Sequence, residues 1–148
     1  MLGRGFLVLT LLIMSKENRS PNDKRQKIPL YLDAVKLLER LSQMEPHIQR
    51  SYKFTLGRLM LDWAAQLVYK IDLMNMRRDK LAALEDIAAT LRTVESVFYI
   101  LIRCRALPRE SPINEDAAAL LFESIERQTR ALWRASRNQN SHATAGQP

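Results

Sequence analysis

The segment ALEDIAATLRTVESVFYIL, residues 83–101, decides the fold, because its large apolar residues recur at alternating steps of three and four. The series consists of Leu84, Ile87, Leu91, Val94, Phe98 and Leu101. This spacing places all of these side chains on one face of an α-helix, whereas a strand would place every second residue on one face. The segment therefore predicts a helix over about 79–106 with one buried seam.

Three further segments carry the same helical periodicity. The first covers about 30–45, with Tyr31, Ala34, Val35, Leu38 and Leu41 on its apolar face. The second covers about 49–75, with Leu56, Met60, Trp63, Leu67, Ile71 and Met74. The last covers about 112–137, with an expected buried stripe of Ala117, Leu120, Leu121, Ser124, Gln128, Ala131 and Leu132. The sequence therefore predicts four helices.

Capping residues and prolines mark the predicted helix boundaries. Ser111 is the expected N-cap of the last helix and Pro112 its first residue. A turn is expected at Asn75–Asp79, with Asp79 capping the third helix, because one helix from 49 to 106 would be about 87 Å long. Only one glycine, Gly57, lies between positions 19 and 138, which argues against sandwiches, barrels and doubly wound folds. The expected fold is all-α, an antiparallel up-down four-helix bundle.

The sequence divides into three parts. Residues 1–28 are expected to be a disordered basic extension, 29–137 the helical bundle, and 138–148 a disordered tail. The apolar run at 6–14 is too short to span a membrane, so no membrane partner is expected and the protein is placed in the cytoplasm. Residues 1–13 are expected either to precede the true start at Met14 or to form an unstructured extension. A secretory signal is the alternative, although no small-x-small cleavage pattern follows.

Residues suited to catalysis or metal binding are scarce. The two histidines, His47 and His142, show no spacing with acidic residues that would build a metal site in a bundle. The single cysteine, Cys104, excludes a disulfide within the chain and is flanked by two arginines. There is no glycine-rich phosphate loop and no nucleophile elbow. We therefore expect no enzyme activity, no metal and no cofactor.

The formal net charge of +7 comes mainly from arginine, whose planar guanidinium suits phosphate. Three clusters are candidate sites for a nucleic acid or an acidic partner. They are Arg50, Lys53 and Arg58 at the start of the second helix; Arg77, Arg78 and Lys80 at the following turn; and Arg127, Arg130, Arg134 and Arg137 on one face of the last helix. Without an aromatic RNA-recognition motif or a helix-turn-helix, the expected contact is to phosphate backbone, with a solvated, internally paired face as the alternative.

Two segments are apolar over a wider arc than one bundle seam requires. Residues 63–69 and the uninterrupted apolar run at 97–102 cover more than one side of their helices. A helix that is apolar on several sides is buried on several sides. This favours homo-oligomerisation, and the core of a thick bundle is the alternative.

The segment RSYKFTLGR, residues 50–58, followed by a long helix, a basic turn and a third helix containing LAAL, resembles one known family. It is similar to the accessory variability determinant proteins of diversity-generating retroelements, which share a four-helix-bundle family with the proteins encoded in 23S rRNA intervening sequences. The resemblance covers about 29–136, including Trp133. It implies a homopentameric, non-catalytic protein that binds a reverse transcriptase and its template RNA and supports mutagenic cDNA synthesis. Gly57 would then let a neighbouring helix or subunit approach closely.

Two other functions remain open at the level of sequence. One is an rRNA intervening-sequence type bundle with no polymerase partner, and the other is an oligomeric adaptor that binds no nucleic acid. A reverse transcriptase gene and template repeat beside this gene would favour the retroelement function. Salt-dependent RNA binding would separate both nucleic-acid functions from the adaptor.

Overall fold

The computed structural model describes residues 28–107 and 114–145, with side chains placed as far as Ser141. Within these ranges the secondary structure is helical and no strand occurs. The four long helices of this part of the chain are α1 (Pro29–Met44), α2 (Arg58–Met74), α3 (Lys80–Arg103) and α4 (Glu115–Ala145). The predicted all-α class is therefore confirmed. The expectations for residues 1–27, and for Ser111 and Pro112, lie outside the described residues.

The long helices share one apolar core. α1 packs against α2 and α4, and α3 packs against the same two helices. The seam predicted for α3 is buried along its whole length, from Leu84 to Leu101. Near the end of that seam, the ring of Phe98 meets that of Phe122 from α4 edge to face, with centroids 5.7 Å apart. Aromatic pairs in this geometry add to the stabilisation from burial alone.

Polar contacts fix how neighbouring helices are aligned. The ammonium of Lys70 on α2 donates to Oδ1 of Asp86 at 3.1 Å and to the buried hydroxyl of Thr90 at 2.8 Å, both on α3. Between α1 and α4, Oδ2 of Asp33 accepts hydrogen bonds from Ser124 at 2.8 Å and from Gln128 at 2.7 Å. A shift of either helix pair by one residue would break these hydrogen bonds, so they favour one alignment.

Local capping accounts for the starts of α3 and α4. The carboxylate of Asp79 accepts a hydrogen bond from the backbone N–H of Ala82 at 3.1 Å, which confirms it as the N-cap of α3. The side-chain oxygen of Asn114 accepts from the N–H of Ala117 at 2.7 Å. α4 therefore begins at Glu115, after the predicted start at 112, because Asn114 supplies the cap there.

A residue just beyond the C-terminal end of α3 has an unusual backbone conformation for its type. Arg105 has a φ of 55°, in the left-handed region that glycine normally occupies after a helix. Its N–H donates to the carbonyl of Ile102, and the N–H of Ala106 donates to that of Leu101, both at 3.0 Å. These two bonds form a Schellman motif. The chain adopts it with arginine, at a conformational cost of about 1 kcal/mol.

The chain reaches α2 through two short helical segments. Arg50–Tyr52 forms a single α-turn, and Lys53–Gly57 forms a π-turn, in which the N–H of Arg58 donates to the carbonyl of Lys53 five residues earlier. A β-carbon on Gly57 would lie 2.9 Å from Cδ1 of Ile48. The family resemblance implied that a neighbouring helix or subunit approaches Gly57. In the described residues its close neighbour is the buried side chain of Ile48, in the loop before this segment.

Two predictions for α4 are wrong. The helix continues to Ala145, so the tail predicted to be disordered from 138 is helical over residues 138–145. Its buried stripe is also rotated: the buried residues are Ala118, Phe122, Ile125 and Thr129, whereas the predicted members Ala117, Leu120, Ala131 and Leu132 are exposed. The remaining predicted members, Leu121, Ser124 and Gln128, are half-buried, and the last two donate to Asp33. Packing of Phe122 against Phe98 belongs to the buried face that the structure selects.

Candidate nucleic-acid interface

The four arginines at 127, 130, 134 and 137 form the α4 arginine row, and all of them are exposed. Arg130 is paired with Glu126 one turn earlier, at 2.7 Å. The guanidinium of Arg137 lies over the ring of Trp133, with its central carbon 5.4 Å from the ring centroid. Within the described residues, Arg127 and Arg134 make no ion pair. The row therefore keeps two guanidinium groups available for an external anion.

The second predicted cluster surrounds an exposed aromatic ring. Lys53, Phe54 and Arg58 form what we call the π-turn patch. The Lys53 ammonium lies 5.8 Å from the centroid of the Phe54 ring, and the Arg58 guanidinium carbon lies 5.9 Å from it. Phe54 is 59% exposed although it is a large apolar residue. Arg50, one turn before Phe54, is also exposed.

The third predicted cluster divides between structural and exposed roles. The ammonium of Lys80 donates to the carbonyl of Met74 at 3.2 Å and so caps the end of α2. Arg77 and Arg78 are exposed in the turn. Arg78 lines a shallow groove with Asn140 of α4, one turn beyond Arg137, so these two clusters approach one another at this end of α3.

The π-turn patch lies at the opposite end of α3. The N–H of Gln49, which precedes the patch, donates to the carbonyl of Ala106 at 2.8 Å, just beyond the end of α3. Arg78 instead lies just before the start of that helix. α3 has 24 residues, which is about 36 Å at 1.5 Å per residue. The chain therefore carries two separate basic regions.

A cavity of about 330 Å³ lies between α3 and α4, and it was not predicted from the sequence. Its apolar surface comes from Leu84, Ala88, Leu91 and Trp133, and its charged rim from Glu85, Arg92, Glu95, Glu126 and Arg130. Burial, and then the nearby Glu126 carboxylate, raise the pKa of Glu95, while Arg92 opposes the rise. Burial first, and then Glu95, Glu115 and Asp116, also raise the pKa of Tyr99. The sequence signal for it was the spacing of Arg92 and Glu95, three residues apart on α3.

Other chemistry finds no support in the described part of the chain. No group of three or more histidine, cysteine or acidic side chains is arranged there to hold a metal ion. Cys104 is exposed and forms no disulfide. Across residues 28–107 and 114–145, no helix has both the length and the apolar character needed to cross a membrane.

Comparison with known proteins gives no match, whether with family models, with curated proteins or with solved structures. The candidate sites are therefore defined by the chain's own side chains, chiefly the α4 arginine row and the π-turn patch.

Proposed function

We propose that this chain is a non-catalytic RNA-binding accessory protein that acts with the reverse transcriptase of a diversity-generating retroelement. The observation that carries the RNA-binding part is the α4 arginine row, in which Arg127 and Arg134 are exposed and make no ion pair within the described residues. The retroelement part rests on the resemblance of residues 50–58 and of the helix order to the accessory variability determinant family.

The arginine row has the form expected of a phosphate-binding surface. From Arg127 to Arg137 it extends for about 15 Å along the helix axis, which is long enough for several phosphates of one strand. Like charges three and four residues apart on a helix repel by a few tenths of a kcal/mol per pair. Binding a polyanion would remove this repulsion and release the counterions of the nucleic acid.

We propose that the helices form an antiparallel up-down bundle. In this proposal, five copies of the bundle assemble into a homopentamer in the cytoplasm. Exposed apolar side chains on the outer surface support an assembly. Leu120 on α4 is 68% exposed, Leu32 on α1 is 49% exposed, and Leu132 is also exposed. These residues would be buried against another subunit or against the reverse transcriptase.

The experiment compares two variants that remove the same charge. One is Arg127→Gln with Arg134→Gln, and the control is Lys36→Gln with Arg40→Gln, two exposed residues of α1. Binding of a labelled single-stranded RNA is measured by fluorescence anisotropy over a series of salt concentrations. The α4 variant should weaken binding and reduce the slope of log affinity against log salt by about 0.7 for each lost phosphate contact.

Equal loss in both variants would show that only net charge matters and would refute the assignment to the arginine row. Helical circular dichroism should be unchanged in both variants, because the substituted residues are exposed. Light scattering after size exclusion, with and without RNA, tests the assembly. A five-subunit mass supports the pentamer, and a monomer contradicts it.

The second candidate function is an oligomeric adaptor that binds no nucleic acid. It is favoured by the exposed leucines and by the pairing of Arg130 with Glu126, which already neutralises part of the row. An assembled protein that ignores RNA at low salt would support this adaptor. The intervening-sequence function would instead be supported if the protein binds RNA and its gene lies within an rRNA gene, with no reverse transcriptase gene beside it.

A further inference from the structure

Phe54 is exposed although folding alone gives no reason for an aromatic residue at this position. The residue is 59% exposed and is absent from the apolar core that Tyr52 and Leu56 of the same segment contact. Two cations, Lys53 and Arg58, lie within 6 Å of the ring centroid. A ring face and positive charges offered together to solvent are the combination that proteins use to hold single-stranded nucleic acid.

We propose that Phe54 is a stacking platform for one unpaired RNA base, with Lys53 and Arg58 binding the phosphates on either side of that base. This inference rests on the proposed RNA binding and names the form of RNA and the contact. It adds a base contact to a surface for which the sequence predicted only backbone contacts. The ligand is a single strand, since a duplex keeps its base faces stacked inside the helix.

The backbone around Phe54 is fixed before any ligand arrives. The π-turn carries Phe54, and its last residue, Gly57, packs against the buried side chain of Ile48. The N–H of Gln49 is tied to the carbonyl of Ala106 at 2.8 Å. A platform held in this way loses little conformational freedom on binding, which favours affinity.

In the free protein the two cations lie over the ring of Phe54, so a stacking base takes their place on the ring while their charges turn to its phosphates. Each base of a strand is followed by a phosphate, so a platform for the base and charges for its phosphates are needed together. Every base has a flat π-face, so the site should accept all four bases with modest preferences. The cations contribute the salt-dependent part of the affinity and Phe54 the salt-independent part.

The test uses the full-length protein and three labelled probes. They are a single-stranded oligouridylate of about twelve nucleotides, an abasic strand with the same number of phosphates, and an RNA duplex of the same length. The variants are Phe54→Leu, which keeps an apolar side chain, and Phe54→Trp, which keeps a ring. Tyr69→Ala is the matched control, because Tyr69 is 57% exposed on α2, outside the π-turn.

Phe54→Leu should weaken oligouridylate binding about fivefold or more, with the salt slope unchanged. Its affinity for the abasic strand and for the duplex should stay within twofold of the wild type. Phe54→Trp should retain wild-type affinity, and Tyr69→Ala should have no effect. Lys53→Gln should lower the salt slope by about 0.7.

The outcomes separate this inference from the function on which it rests. If the wild type binds oligouridylate and Phe54→Leu binds equally well, the stacking platform is refuted while RNA binding stands. An equal loss on the abasic strand also refutes stacking, because no base is then involved. If the wild type binds none of the probes at low salt, both the platform and the proposed RNA binding are refuted.

Discussion

Substituting Gly57 by alanine tests the close contact that the structure places at the end of the π-turn. Gly57 has φ −62° and ψ −46°, which is helical backbone that alanine adopts without strain. Alanine is favoured over glycine inside a helix by about 1 kcal/mol. The added methyl would, however, lie 2.9 Å from Cδ1 of Ile48, where about 3.5–4.0 Å is usual.

The clash can be relieved only by moving Ile48. Its Cδ1 is the end of a side chain, but Ile48 is buried, so turning it away from its preferred rotamer costs about 0.5–1.5 kcal/mol. The two contributions nearly cancel, so Gly57→Ala should leave the free energy of unfolding within about 0.5 kcal/mol of the wild type. Ile48→Val removes Cδ1, and in that background Gly57→Ala should stabilise by about 1 kcal/mol.

Urea unfolding followed by circular dichroism, at one protein concentration, measures all four proteins of this double-mutant cycle. The expected coupling between the two positions is about 1 kcal/mol. A coupling near zero would refute the reasoning, because Ile48 would then not be what restricts position 57. If Gly57→Ala instead changed the assembled mass without any coupling to Ile48, the glycine would serve contact with another subunit, as the family resemblance implied.

Two further predictions concern backbone strain and a half-buried carboxylate. Arg105→Gly should stabilise the protein by about 0.5–1 kcal/mol, because glycine adopts a φ of 55° without the conformational cost that arginine bears. Urea unfolding measures this change. A loss of stability would mean that the arginine side chain makes a contact that stabilises the fold by more than the strain costs. Glu95→Gln should raise the midpoint of thermal unfolding at pH 7 and have less effect as the pH falls. Because burial and Glu126 raise the pKa of Glu95 in the folded state, its ionised form opposes folding, so its contribution to stability decreases as the pH rises through the raised pKa. An equal effect at acidic and neutral pH would show that titration of Glu95 is not the cause.

The helices of the chain were predictable where local signals agreed with packing. The three-and-four spacing from Leu84 to Leu101 gave α3 and its buried face, and Asp79 gave its start. For α4, local signals were ambiguous, because Leu120 and Ala131 lie on one face while Phe122 and Ile125 lie on another. Only contact with the other helices decides between such faces, so the orientation of α4 could not be obtained from its own residues.

The sequence predicted where the basic clusters lie along the helices, but not which side chains surround them. Spacing alone placed the α4 arginine row on one face, and the structure adds that Glu126 neutralises Arg130 while Trp133 lies under Arg137. Lys80 looked like its arginine neighbours in sequence, yet its ammonium binds the carbonyl of Met74. Phe54 was part of the motif that carried the resemblance, but its exposure between two cations required the π-turn geometry.

The π-turn also controls how the residues before it are oriented relative to α2. A π-turn holds one residue more than a turn of α-helix, because its hydrogen bond joins residues five apart and not four. Each residue of an α-helix advances by about 100° around the axis, so one added residue turns everything before it relative to everything after it. Deleting one residue from Lys53–Gly57 would swing Arg50 and Ser51 about a quarter of a turn around the helix while α2 kept its buried face. The length of this one turn therefore sets the direction in which Arg50 and Ser51 face, independently of the buried face of α2.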